Sequence, residues 1–319
     1  MDHILAIDLG GTNIRVALCD DAGQIVKQQT HPTRAQQGAE DVFARLVAHA
    51  RALVDDWSRV RGIGLAAPGP LDPWRGIIHQ APNLPGIDGF QMQARLEQEF
   101  KIPARVGNDA NLAALGEHRL GAGRGVAHLI YITISTGIGG GIIANNELFL
   151  GARGFAGEIG HQTVDAYGPL CNCGSVGCLE AVASGPAIAR ATRDEIFKGR
   201  ESKILGMVNS VPSAITASVV SQAARAGDKL ARRMFERAGF YIGLGLVSLL
   251  HNFDTQLFVL GGGVAINSWD LLEQPIRTTF NKYAMASMRA GVQIAQAELG
   301  DDAGIYGAAA LVNDVMRET

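Results

Sequence analysis

The chain contains no G-x4-G-K-[ST] stretch, so it lacks the glycine loop that opens a helix in Walker-type nucleotide sites. It has no long run of lysine and arginine, and its formal net charge is -3. A general grip on nucleic acid or on an anionic membrane surface is therefore not expected. The longest apolar stretch, AGFYIGLGLVSLL from Ala238 to Leu250, is too short to cross a bilayer. The opening MDHILAIDLGG has neither the basic segment nor the apolar segment of a secretory signal. These absences point to a cytoplasmic protein without membrane or nucleic-acid partners. Cysteine is scarce, with four in 319 residues, and a disulfide framework is not expected in such a chain.

Apolar residues make up 47% of the sequence and charged residues 18%, so sizeable cores can form, and the length suits two lobes. HILAIDLGGTNIRVALCDDAGQIV reads as a three-stranded meander with a glycine turn and an Asp-Ala-Gly turn. Apolar residues from Val42 to Trp57 recur at helical spacing and predict a helix over 40–57. GIGLAAPGPLD is a buried strand ending in a Pro-Gly-Pro loop. PARVGND is a strand, and ANLAALGEHRLGAG a helix stopped by glycine. HLIYITISTGIGGGII repeats the strand–glycine turn–strand pattern. Residues 184–238 read as mainly helical with one interruption near 210–213. TQLFVLGGGVA is the last buried strand with a glycine turn, and a helix closes the chain. The order predicts two α/β lobes with mixed sheets flanked by helices.

Three of the four cysteines fall within eight residues. Cys171, Cys173 and Cys178 form a C-x-C-x4-C group, with His161 ten residues upstream. Three thiolates and an imidazole make a tetrahedral zinc shell with no open position, which would be structural. A redox-active or simply buried thiol cluster is the alternative. Cys19 stands alone in an apolar strand and reads as core filler. Glu158 and Glu180 flank the cysteine loop, where fixed carboxylates suit a polyhydroxylated ligand. DLGGTN and STGIGGG are candidate phosphate loops, since glycine permits positive φ and close approach of backbone N–H groups. Each is equally an ordinary hairpin turn. Asp8 beside the first loop could hold Mg²⁺ through water. In GND, Asn108 or Asp109 could cap the next helix, and Asp109 could serve as a general base.

The set AIDLGGTN, GLAAPGP, APNLPG, GNDAN, ITISTGIGGGII, GEIGH, CNCGSVGCLE and VLGGGV resembles the ROK family of sugar kinases and related repressors, over nearly the whole chain. The resemblance implies the two-lobed actin-like, hexokinase-like ATPase fold. It implies an N-terminal smaller lobe over 1–120, completed by a C-terminal helix over 304–319, and a larger lobe over 121–303. Asp8, Gly10, Gly11, Thr12 and Asn13 would form the first phosphate loop, and Thr136, Gly137, Gly139 and Gly140 the second. Gly262 and Gly263 would lie against the adenosine. Gly69, Pro70, Asn83, Asn108, Asp109, Glu158, His161 and Glu180 would bind the sugar, with Asp109 as the base on its 6-hydroxyl. His161, Cys171, Cys173 and Cys178 would hold the structural Zn²⁺.

The implied activity is transfer of the γ-phosphate of ATP, with Mg²⁺, to the 6-hydroxyl of a hexose, glucose first. The implied assembly is a homodimer. N-acetylmannosamine, N-acetylglucosamine, fructose and allose are alternative substrates, and polyphosphate an alternative donor. A sugar-responsive repressor would carry a helix-turn-helix ahead of the first strand, and the strand expected near His3 leaves no room for one. Loss of a cysteine ligand is expected to weaken sugar binding more than ATP binding, because the phosphate loops lie elsewhere in sequence.

Overall fold

The computed structural model describes residues 2–81 and 83–318. Met1, Pro82 and Thr319 lie outside the described residues, so the outer limits of the expected lobes and the proline of APNLPG are not placed. The chain divides into two compact units. One comprises Met1–Ala127, Gly141–Gly157 and Asp301–Thr319, and the other His128–Gly140 and Glu158–Gly300. Residues 121–127 and 141–157, which the sequence reading put in the larger lobe, fall with the first unit.

The central strand of the first unit, His3–Leu9, carries the apolar run Ile4–Ile7, and Ile4, Leu5, Ala6, Ile7 and Leu9 are fully buried. Such a run belongs in the middle of a sheet covered on both faces. Its sheet is ordered Ile25–Pro32, Asn13–Cys19, His3–Leu9, Val60–Ala67, Ala104–Asn108. The first three strands pair antiparallel and the last three parallel. Ile25–Pro32 is the edge strand, and its polar residues Lys27 and Gln28 suit an exposed margin. Helix Ala39–Leu53 buries Val42, Phe43, Leu46, Val47, Ala50 and Leu53 in the core of this unit. The helix stops before Trp57, because the Asp56 side chain accepts from Ser58 N–H and starts a separate 3-10 turn, Trp57–Arg59.

The C-terminal helix, Ala303–Glu318, packs on helix Asp109–Leu120 and on strands His3–Leu9 and Val60–Ala67. Glycine makes this contact possible. A Cβ at Gly64 would overlap the carbonyl of Ala308, and one at Gly307 would overlap the carbonyl of Leu112. Main chain therefore lies directly on main chain.

A second sheet is ordered Glu147–Leu148, Ile138–Ala144, Leu129–Ile134, Leu257–Gly261, Gln293–Gln296. Leu257–Gly261 pairs parallel with both of its neighbours. Gln293–Gln296 was not expected from the sequence; it is a short, partly exposed edge strand without a strong apolar pattern. Residues 184–238 are broken more often than expected, into helices Gly185–Phe197, Ile204–Met207 and Ala217–Arg225 and the start of Lys229–Phe253. Thr216 and Asp228 cap the last two by accepting from Val219 and Ala231 N–H. Among the described residues no helix is long and apolar enough to cross a membrane.

Gly307→Ala is expected to lower the unfolding free energy by about 1–3 kcal/mol, the range for overpacking a closed interior. Urea unfolding measures it. A variant as stable as the parent would show that the C-terminal helix can shift away freely.

Candidate active site

In the first unit the Asp8–Asn13 loop is a closed hairpin turn. Gly10 N–H donates to the Asn13 carbonyl at 2.9 Å, and the Thr33 hydroxyl donates to the Gly10 carbonyl at 2.6 Å. Neither Gly10 nor Gly11 has a positive φ. Gly11 is needed for space instead, since a Cβ there would lie 2.8 Å from Asn83 Cβ. The turn thus brings Asn83 against the first loop. Asp8 sits across from Arg15 in the strand register, and their side chains meet at 3.2 Å. Burial pushes the Asp8 carboxyl up to about 6; Arg15 opposes the rise, and Asp302 and Asp301 add to it. The cluster is short of positive charge, which favours a cation there.

Asn108 ends its strand and caps helix Asp109–Leu120, its Oδ1 accepting from Ala110 and Asn111 N–H at 3.0 and 3.1 Å. The cap thus falls to Asn108, while Asp109 opens the helix with an exposed side chain oriented by Ala110 N–H at 2.7 Å. The Gly69–Pro70 loop lies against this cap. A Cβ at Gly69 would be 3.0 Å from Asn108 Nδ2. The structure therefore gathers Gly69, Asn108 and Asp109 in one place.

In the second unit Glu158, His161 and Glu180 are joined through the cysteine cluster. His161 ends a 3-10 turn, Ile159–His161, that lies directly beneath strand Ile138–Ala144; a Cβ at Gly160 would overlap the Ile138 carbonyl. The Nδ1 atom of His161 is 3.7 Å from Cys171 Sγ, and Cys173 and Cys178 Sγ are 3.6 Å apart. All four ligand atoms lie within 4.8 Å of one another. Ligands on one tetrahedral zinc lie about 3.5–3.8 Å apart at ordinary bond lengths, so the donor set and spacing fit that ion. His161 Nε2 points away from the cluster and approaches Glu158 at 3.9 Å. Glu180, two residues beyond Cys178, accepts from Ile138 N–H at 2.9 Å.

The Ser135–Gly137 turn, closed by Ser135 N–H to the Gly137 carbonyl at 2.9 Å, opens onto a cavity of about 680 Å³. Thr136, Thr216, Gln222, Gly263 and Asn267 line it. Gly262 has φ 82 and sits so close to strand Leu129–Ile134 that a Cβ would lie 2.6 Å from the Ile134 carbonyl. The expected turn at GGGV is in fact the start of a helix, Gly262–Asn267. Arg225 stiffens the wall by a two-pronged pair with Asp270 at 2.9 and 2.6 Å and a bond to the Asn267 carbonyl. A pocket of this size with a few polar groups suits a nucleoside.

The ROK family model matches residues 4–315. The chain belongs to the ROK family. This ROK chain is 38% identical over 317 residues to a glucokinase from Halalkalibacterium halodurans, covering 97% of this chain and 94% of that protein. The crystal structure of a ROK family glucokinase from Streptomyces griseus, in complex with glucose and AMPPNP, superposes with a TM-score of 0.82 at 35% identity, covering 99% of this chain and all of that one. A ROK family transcriptional regulator, a homologue of the E. coli MLC protein, gives a TM-score of 0.87 at 25% identity, covering 99% of this chain and 80% of that one. Both superpositions match the α/β fold with mixed sheets flanked by helices.

The helix that borders the cavity falls within the helical stretch expected over 184–238, but its place beside the cavity was not anticipated. Ser184 caps helix Gly185–Phe197 by accepting from Ala187 N–H, with Pro186 in its first turn. The S-G-P string carries that start signal. Thr216 and Asn267 had no such marker. The purified ROK chain is expected to carry one zinc per chain. Elemental mass spectrometry checks this, with Cys178→Ser expected to reduce the content to a small fraction of one equivalent.

Proposed function

We propose that the chain transfers the γ-phosphate of ATP to the 6-hydroxyl of a hexose, with glucose as the substrate. One observation carries this reading. In the second unit, a nucleoside-sized cavity and a braced set of sugar-type acceptors meet at a single turn, Ser135–Gly137. The likeness to glucokinases supports both the reaction and the sugar.

Asp109 is the base. It follows the capping residue directly, so the helix start holds its backbone while the carboxylate stays exposed. Accepting the 6-hydroxyl proton raises the nucleophilicity of that oxygen as it attacks the γ-phosphorus in line. Gly69, Pro70, Asn83, Asn108, Glu158, His161 and Glu180 are the residues assigned to the sugar. His161 gives Nδ1 to the cluster and turns Nε2 outward, so one ring serves both tasks.

The Asp8–Asn13 and Thr136–Gly140 loops hold the phosphates, and Gly262 and Gly263 lie along the adenosine. Asp8 would hold Mg²⁺, which supplies charge neutralisation on the transferred phosphate. His161, Cys171, Cys173 and Cys178 would hold Zn²⁺ in a closed shell that braces the Glu158–Glu180 segment. A homodimer acting in the cytoplasm completes the reading. The second reading, a sugar-sensing regulator, is favoured by the close superposition on a ROK regulator.

A coupled assay over glucose, fructose, allose, N-acetylglucosamine and N-acetylmannosamine, with ATP or polyphosphate, separates these readings. Glucose with ATP is expected to give the highest kcat/KM. Sugar binding with no phosphorylated product from any pair would favour the regulator. Asp109→Asn is expected to reduce kcat by about 10²–10⁴ while leaving glucose binding within a few-fold. Near-normal kcat in that variant would return Asp109 to a purely structural place at the helix start.

A further inference from the structure

Glu180 faces a group that its sugar-binding role does not explain. One of its oxygens, Oε2, accepts from Ile138 N–H at 2.9 Å. Ile138 is the first residue of strand Ile138–Ala144 and follows the Ser135–Gly137 turn directly. Gly137 carries the same message. Its φ is not in the left-handed region, so the backbone alone does not demand glycine there. A Cβ at Gly137 would instead lie 2.6 Å from Glu180 Oε2. Glycine at this position makes room for the carboxylate.

Glu180 is itself held from both sides. Cys178 immediately precedes the short helix Leu179–Ala183, Leu179 is fully buried, and Leu179 N–H donates to the Gln162 carbonyl at 2.9 Å. At the other end Gly185 N–H donates to the Ser135 carbonyl at 2.9 Å. The segment from the cysteine cluster to Gly185 thus grips the turn at Ser135 and at Ile138.

We propose that Glu180 is a positioning residue for the nucleotide: its carboxylate sets the Ser135–Gly137 turn in the form that meets the phosphates. The inference rests on the kinase reading above. It reverses the expectation drawn from sequence distance. The cysteine loop and the second phosphate loop are far apart in sequence, yet one carboxylate joins them, so disturbing the cysteine loop disturbs the nucleotide as well as the sugar. The charge has a further consequence. The carboxylate brings negative charge near a phosphate loop, and the Ile138 amide bond offsets only part of it.

The test is AMPPNP affinity measured by calorimetry on zinc-loaded protein without sugar. Glu180→Ala is expected to weaken binding by about tenfold, the loss of one charge-assisted hydrogen bond. Glu180→Gln keeps an acceptor for Ile138 N–H. It is expected to bind AMPPNP within about twofold of the parent while its KM for glucose rises. Gly137→Ala, which displaces the carboxylate without removing it, is expected to weaken AMPPNP as Glu180→Ala does. Parent-like affinity in Glu180→Ala or in Gly137→Ala overturns the proposal, as does equal weakening in Glu180→Gln and Glu180→Ala. Failure of the parent protein to bind AMPPNP would instead sink the kinase reading itself.

Discussion

Close approach of main chain to main chain is the constraint on which this structure depends. It needs positions with no Cβ, and the sequence supplies 40 glycines. Gly64 and Gly307 let the C-terminal helix rest on the first sheet and on helix Asp109–Leu120. Gly160 lets the turn that carries His161 sit under strand Ile138–Ala144, and Gly177 lets the cysteine loop fold over the Asp165 carbonyl. At Gly64, Gly160 and Gly307 the φ is ordinary, so conformational freedom is not the reason for glycine. The reason is distance. A methyl group at any of these sites would separate two segments that the functional residues need in contact.

The cysteine cluster answers a related difficulty. The stretch 162–178 has little regular structure and only isolated bridges, between Thr163 and Cys178 and between Leu170 and Val176. Tyr167, Leu170 and Val176 are exposed, so apolar burial contributes little to holding this loop. Four ligands on one ion would supply the missing constraint, since a structural zinc adds folding energy directly. Leu179 and Glu180 then begin from a fixed point. In the proposed reading the loop does no chemistry but fixes the position of the Glu180 carboxylate against Ile138 N–H.

Legibility in the sequence followed the range of the interaction. The His161–cysteine cluster was readable because metal binding by thiolates favours short spacing, and Cys171, Cys173 and Cys178 lie within eight residues and gather in the structure. The helix start at Asn108–Asp109 was readable because a cap is local, although which of the two residues caps was settled only by Asn108 Oδ1 meeting Ala110 and Asn111. The alternating α/β order, and with it the fold class, followed from apolar runs. What escaped was long-range or weakly patterned. Nothing local marks Gln293–Gln296 as a strand, because its partner Leu257–Gly261 provides the order. Nothing local tells that Gly137 is glycine on account of Glu180, 43 positions later. The Asp8 carboxyl is raised mainly by burial, and the added push comes from Asp302 and Asp301, which return from the far end of the chain.

The two sheets explain why the candidate residues come from such scattered positions. Each sheet has the same order, three strands in sequence running outward from the centre and two more added on the other side. In the first, Asp8 is near the carboxyl end of His3–Leu9, Gly69 follows Val60–Ala67, and Asn108 ends Ala104–Asn108. In the second, Ser135 follows Leu129–Ile134 and Gly262 follows Leu257–Gly261. These strands are mutually parallel within their own sheet, so their carboxyl ends fall on one edge. Backbone N–H groups of the turns and following helices collect at that edge, and anionic ligands bind in the crevices outside it. A strand order that pairs non-neighbours in sequence therefore brings separate motifs to one edge within each sheet.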